Sequence, residues 1–219
     1  MRPVDKGEKP DNEYKKYGDA KPELIRRIGE YCSYCEFPIV HVPEVEHKEA
    51  KSTGGSWLEW DNLLLSCKYC NCRKLVCVAA GEKDLYLWPD EDDTFHAYKY
   101  TNGIPALNED YLRNKGELYR ERATRLFQLV KLNHIPDTPK DKDRRWAKRL
   151  ETFNSALEEL DNWKLNRTEE YKRILVKYAV ASGFFSIWME VFKDEPEMQK
   201  AFVDAFVGTK KKYFKNWIE

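Results

Sequence analysis

Apolar residues first recur at helical spacing over residues 21–28. Leu24, Ile25 and Ile28 make a short stripe there, with Pro22 and Glu23 suited to a first turn and Gly29 to a stop. Residues 37–42 and 43–47 read as two short strands in a hairpin-like element, and Thr53-Gly54-Gly55-Ser56 as a loop. Asn71 to Ala80 reads as a helix stopped by Gly81, with Leu75, Val76 and Ala79 turned inward. Residues 84–107 look extended: Leu85 to Trp88, then Thr94 to Tyr100, with turn signals at Pro89-Asp90 and Asn102-Gly103. From Asn108, a candidate N-cap, the period becomes helical through Leu112, Leu118, Ala123, Leu126 and Val130, interrupted by Gly116. A linker over 135–143 precedes a helix over about 144–165, with Leu150, Phe153, Leu157, Leu160 and Trp163 on one stripe. Thr168 starts a long apolar helix to about Phe192. A shorter one runs from Glu197 to Val207, with Gly208 beyond its end. The pattern predicts an α+β chain, mostly helical, in two units: 1–107 and a helical 108–219.

Composition narrows the function. Among 219 residues, 38 Lys and Arg balance 38 Asp and Glu, so net charge gives no support for a nucleic-acid partner and any such case must come from local charge. Met1 to Asp19 is charged and lacks the apolar stretch of a secretory signal. Tyr178 to Met189, the longest uncharged apolar-rich run, is too short to span a bilayer, so no membrane association is expected. A cytoplasmic location follows as an expectation, and a reducing cytoplasm favours metal ligation over disulfides for paired cysteines.

Those pairs are Cys32-Ser-Tyr-Cys35 and Cys67-Lys-Tyr-Cys70, with 31 residues between them. The spacing is that of two knuckles closing on one tetrahedral Zn²⁺. Four thiolates saturate the ion, so the site is structural; the alternative is four buried thiols without metal. Cys72 and Cys77 fall outside the pairs and read as buried spectators on the helix, the alternative being that one of them is a ligand. Glu46 and His47 lie between the knuckles. On a strand they point to opposite faces, a carboxylate suited to a hard cation and an imidazole suited to taking a proton from water.

The order Tyr31-Cys32-x-x-Cys35, Val45-Glu46-His47-Lys48, Gly54-Gly55, Asp61-Asn62-Leu63-Leu64-Leu65-Ser66-Cys67-x-x-Cys70-Asn71-x-x-Lys74 resembles the HNH endonucleases of the ββα-metal fold, in their four-cysteine, zinc-stapled form. The resemblance implies a small zinc-stapled nuclease core carrying a C-terminal helical domain. It implies His47 as general base, Glu46 as ligand of a catalytic Mg²⁺ or Mn²⁺, and Asn62 as the amide that braces the loop and orients the base. Asn71 stands where many relatives carry a last histidine, and its carbonyl oxygen suits a hard cation. Lys74, one turn further on, is placed to contact a phosphate. The helix near Asn71 would also direct its N–H groups at that phosphate.

The remaining histidines read as structural: His41 a turn residue, His96 a half-buried strand residue, His134 a helix-end cap. The basic run Lys140 to Arg149 and the tail Lys210 to Trp217 read as solvated faces or phosphate-tracking segments. Phe184 to Met189 reads as core or partner interface. Arg2-Pro3-Val4-Asp5-Lys6-Gly7 and the first knuckle are similar to the HNH subunits of bacterial anti-phage ATPase–nuclease pairs, the Septu type and its retron-linked relatives. That likeness implies an ATPase partner and antiviral defence, with residues 108–219 as the docking half. The expected substrate is nucleic acid, DNA ahead of RNA. The competing readings are an HNH ribonuclease acting on RNA such as tRNA, and an inactive zinc-knuckle scaffold.

Overall fold

The computed structural model describes residues 1–11, 14–75 and 77–214. Helix α1 (Lys21–Ile28) forms as the pattern predicts, burying Leu24 and Ile28 and ending at Gly29. The first knuckle follows, where the Cys32 N–H donates to Phe37 O and the Glu36 N–H to Cys32 O. Residues 37–42 are not a strand. Strand β1 (Glu44–His47) pairs instead with β2 (Leu63–Ser66), antiparallel, with Glu46 opposite Leu64 and His47 opposite Leu63. The segment pairs with the first knuckle through an isolated bridge between Tyr31 and Pro38, and Pro38 has no N–H with which to extend it into a ladder. Strand β2 is buried along its whole length, so it reads as a continuous apolar run with no alternation to reveal it.

Helix α2 (Lys68–Lys74) completes a ββα unit. It begins three residues earlier than the predicted start at Asn71: Cys67 is its N-cap, and Asn71 sits mid-helix with its N–H on Cys67 O. The helix leaves at Leu75, which has φ 46° and is 64% exposed, so Leu75 does not turn inward; Val78 is the buried residue beyond it. Cys77 and Val78 are weak helix formers and do not extend α2. Val76 lies outside the described residues, and Cys72 and Cys77 are exposed, not buried spectators.

The extended reading of 84–107 holds only in its second half. Asp93 caps a single turn, α3 (Thr94–Ala97), and β3 (Tyr98–Thr101) pairs with β4 (Ile104–Leu107). The two-residue connection Asn102-Gly103 has positive φ at both positions, the primed turn that its sequence predicts. Asn108 caps α4 (Glu109–Lys115), and Gly116 separates it from α5 (Glu117–Leu129). Helix α6 (Arg145–Leu165) does not bury its predicted stripe in full. Trp163 is buried, but Leu150 and Leu157 are each 41% exposed, and Arg145, Arg149, Thr152 and Ala156 face inward. The predicted long helix to Phe192 is two, α7 (Glu169–Ser182) and α8 (Phe185–Val191). The break is at Gly183, where an added Cβ would stand 2.9 Å from Glu36 O, so the helix pair meets the first knuckle by backbone approach. Helix α9 (Pro196–Ala205) follows, with a 3-10 turn at Lys211–Tyr213 beyond it.

Two apolar cores result. One gathers Leu24, Ile28, Val45, Leu63, Leu65, Trp60 and Trp88 with Leu112, Ala123, Leu126 and Val130 from α4, α5 and the turn that follows. The other joins α6 to α9 around Trp163, Phe185, Trp188 and Phe202, so Phe184 to Met189 is core. The first core thus runs across the 107/108 division. Residues 2–6 are built in as well: Val4 bridges Thr209, and buried Arg2 donates to Ile28 O and Val207 O. No helix among the described residues is long and apolar enough to cross a membrane.

Candidate nuclease site and zinc-type cysteine centre

The Sγ atoms of Cys32, Cys35, Cys67 and Cys70 are buried and lie within 4.8 Å of one another. Cys35 and Cys67 stand 3.6 Å apart, close to the edge of about 3.8 Å that a tetrahedron with Zn–S near 2.3 Å requires. The Cys70 N–H donates to Cys67 Sγ, so the second knuckle is also the start of α2, and Ser33 N–H to Leu65 O fixes the first knuckle on β2. The donor set fits Zn²⁺.

Zinc held by four thiolates would carry two negative charges, and the fold puts two buried guanidiniums, Arg145 and Arg149, near these sulfurs. Arg145 donates to Cys70 Sγ at 3.1 Å, to Val130 O and Lys131 O, and grips Asp143 with Nε and Nη2. Arg149 donates to Leu132 O, and its Nε and Nη1 find no hydrogen-bond partner among the described residues. The run Lys140 to Arg149 is therefore no solvated face throughout: Lys140, Lys142 and Arg144 are exposed, Arg145 and Arg149 are not. Lys210 donates to Asp90 O and Lys211 pairs with Asp204, while residues 215–219 of the basic tail lie outside the described residues.

In the ββα unit, β1 alternates as a strand should. Glu44 and Glu46 face α2, and His47 faces the other way. His47 Nε2 lies 3.1 Å from Trp57 O; a carbonyl only accepts, so Nε2 carries the proton and Nδ1 is the basic nitrogen. Burial, joined by the charges of Lys51 and Lys74, holds the imidazole below its ordinary pKa, which keeps it neutral near pH 7. Asn62 clasps the loop that brings Trp57 there. Its Oδ1 accepts the Glu49 N–H at 2.8 Å, and its Nδ2 donates to Glu49 O at 3.0 Å and Ser56 O at 2.6 Å. Asn62→Asp sets an oxygen against the last two acceptors. It should lower kcat about 10²-fold through a misplaced His47 while KM changes little. Steady-state kinetics and thermal melting of the variant check this.

Glu46 is 2% exposed, and burial raises its carboxyl to about 7 against the pull of the Lys74 ammonium. One oxygen pairs with Lys74 at 3.3 Å; the other, Oε1, has no partner among the described residues. Lys74 is itself buried and also donates to His47 O, so it is turned inward and not toward a phosphate. Asn71 donates its Nδ2 to Glu44 Oε2 at 2.7 Å, which leaves its carbonyl oxygen for other work. Glu44 was not singled out by sequence, since only the register of α2 on β1 brings it to Asn71. The orphaned Glu46 oxygen and the all-oxygen donor set of Glu46, Asn71 and Glu44 fit a hard divalent cation. The phosphate site expected at a helix start near Asn71 does not form, because α2 starts at the zinc knuckle.

His41 is exposed, as a turn residue would be. His96 is not on a strand but in the α3 turn, with Nδ1 2.8 Å from Asp93. His134 caps no helix and pairs with Asp141 at 2.5 Å.

Residues 32–75 match the family model for HNH endonuclease. The matched segment runs from the first knuckle through β1, β2 and α2 and holds all four cysteines, so this part of the chain is similar to the HNH endonucleases, which use a divalent metal, and its cysteine cluster suggests zinc. No curated protein and no solved structure matches the chain.

Proposed function

We propose that this HNH domain hydrolyses phosphodiester bonds of DNA with Mg²⁺ or Mn²⁺. The observation that carries the reading is the His47 ring, anchored through Nε2 on Trp57 O inside a loop that Asn62 clasps. Nδ1 is thereby aimed as a base. It takes a proton from water as the water oxygen bonds to phosphorus and the bond to the leaving oxygen breaks. Glu46 and Asn71 would hold the divalent cation, which would supply positive charge for the phosphate and the leaving oxygen. Glu44 orients Asn71, and Lys74 holds Glu46 through Oε2 and also the His47 backbone carbonyl.

Incubation of the full chain with plasmid DNA and with total RNA, with Mg²⁺, Mn²⁺ or chelator, tests this. Metal-dependent DNA cleavage supports it; cleavage of RNA alone gives the ribonuclease reading, and no cleavage of either gives the scaffold reading. Glu44→Gln should weaken Mn²⁺ binding by about 10–100-fold, the usual effect of losing a residue that orients a ligand. Titration of free Mn²⁺ by electron paramagnetic resonance measures it, with zinc content as the control.

The opening residues and first knuckle support a cytoplasmic anti-phage role beside an ATPase, docked through residues 108–219. Because the first core spans residue 107, the test is co-purification of the intact chain with an ATPase encoded beside it. Absence of any bound ATPase removes the defence role and leaves the nuclease.

A further inference from the structure

The surroundings of His47 say what kind of nucleic acid reaches it. Tyr17 lies edge-on to the His47 ring, with centroids 4.9 Å apart. Lys51 Nζ stands 4.8 Å from the centre of the Tyr17 ring and, among the described residues, pairs with no carboxylate. Trp57, whose carbonyl anchors His47, is 51% exposed, whereas Trp60, Trp88, Trp163 and Trp188 are buried. Lys15 and Lys16 are exposed, and their backbone N–H groups are tied to Asp19 Oδ2 at 3.1 and 2.9 Å, just before the turn that carries Tyr17. The His47 ring thus has Tyr17 against it and the Lys51 charge close by, with exposed Trp57 joined to it through the main chain and Lys15 and Lys16 just before Tyr17 in sequence, on a chain whose net charge is zero.

We propose that Tyr17, Lys51 and Trp57, with Lys15 and Lys16, form a cradle for one nucleic-acid strand that is unpaired at the cut site. This rests on the reading of His47 as the base of a nuclease. In a duplex each base face is covered by its neighbours, so an open indole beside the scissile phosphate finds a stacking partner only where a base is unpaired. The lysines fit the adjoining phosphates. Three of them make a small electrostatic footprint, so binding depends on the stack as much as on charge. A log–log salt slope of about −2 follows from three contacts on a single strand.

The test uses the full chain as His47→Ala, so that the probe is bound and not cut. The probes are a labelled oligothymidylate and a labelled hairpin duplex, read by fluorescence anisotropy. The single strand should bind at least tenfold tighter than the duplex. Trp57→Ala, which keeps the carbonyl on the main chain, should weaken single-strand binding about 5- to 100-fold and leave duplex binding unchanged. Lys51→Ala should reduce the salt slope by about 0.7. Equal affinity for both probes, or single-strand binding indifferent to Trp57→Ala, overturns the cradle. In that event, cleavage that still needs His47 leaves the nuclease reading standing. If the wild-type chain cuts nothing and neither probe binds, both readings fail together.

Discussion

Replacing His47 by alanine should lower the cleavage rate by about 10²–10⁴-fold, the contribution of a positioned general base, while zinc content and melting temperature stay near wild type. The two halves of that expectation have separate causes. His47 ends β1 and is only partly buried, and its ring makes one hydrogen bond among the described residues, to a carbonyl that solvent can serve in its absence. Its loss therefore costs about 1 kcal/mol or less. The strand keeps its place through Val45, buried against the first core, and through the backbone ladder with β2. The cysteine centre is held by the knuckles and Arg145, none of which touches the imidazole. Added imidazole should restore part of the rate to the alanine variant, since the missing group is a proton acceptor and not a structural brace. A His47→Ala chain that cuts at the wild-type rate would exclude His47 as the base and shift attention to Glu44 and Glu46.

The features legible in the sequence are those fixed by local chemistry. Cys-x-x-Cys spacing reports a knuckle because the turn and its N–H to sulfur bond occupy four residues wherever they occur. Asn102-Gly103 reports a primed turn, and Asn108 and Thr168 report helix starts, because each acts on backbone within a few positions. Glu46, His47, Asn62 and Asn71 stand out in the sequence through their order along the chain, and the structure places them on β1, the turn before β2 and α2, with His47 on the face of β1 opposite Glu46. What stayed hidden depends on partners far away in sequence. Strand β2 is covered on both faces, so Leu63, Leu64 and Leu65 carry no alternation. Gly183 breaks a helix whose own residues would continue it, because Glu36 O passes too close for a side chain. Leu150 and Leu157 keep helical spacing but lose the inward face to Arg145 and Arg149, and charge alone gives no hint that an arginine will be buried. The signal that could have pointed to them is the net charge of a four-thiolate zinc centre, which needs cations near it.

Arg145→Ala should destabilise the chain by about 3–5 kcal/mol, as when one partner of a buried ion pair is removed. Arg145 is 1% exposed and joins four things: the Asp143 carboxylate, Cys70 Sγ, and the carbonyls of Val130 and Lys131. Truncation strands Asp143, whose side chain is also 1% exposed, and leaves two carbonyls and a thiolate without their donor. Domain stability is typically about 5–15 kcal/mol, so the loss is a large share of the whole. At about 2–4 °C per kcal/mol for a chain of this size, the melting temperature should fall by roughly 6–20 °C. Lysine should recover only part of this, because a single ammonium cannot fork across Asp143 while reaching Cys70 and both carbonyls. Arg144, exposed one residue earlier, is the control: its alanine variant should stay within about 0.5 kcal/mol of wild type. The same experiment reads the cysteine centre, since zinc should pass to a chelator faster from Arg145→Ala than from wild type once the thiolate charge is uncompensated. Arg145 starts α6, so the link runs from metal to helix: the centre that closes the two knuckles also anchors the helices behind them. An Arg145→Ala chain that melts with wild type and holds zinc as long would show that α6 is held by its apolar contacts alone.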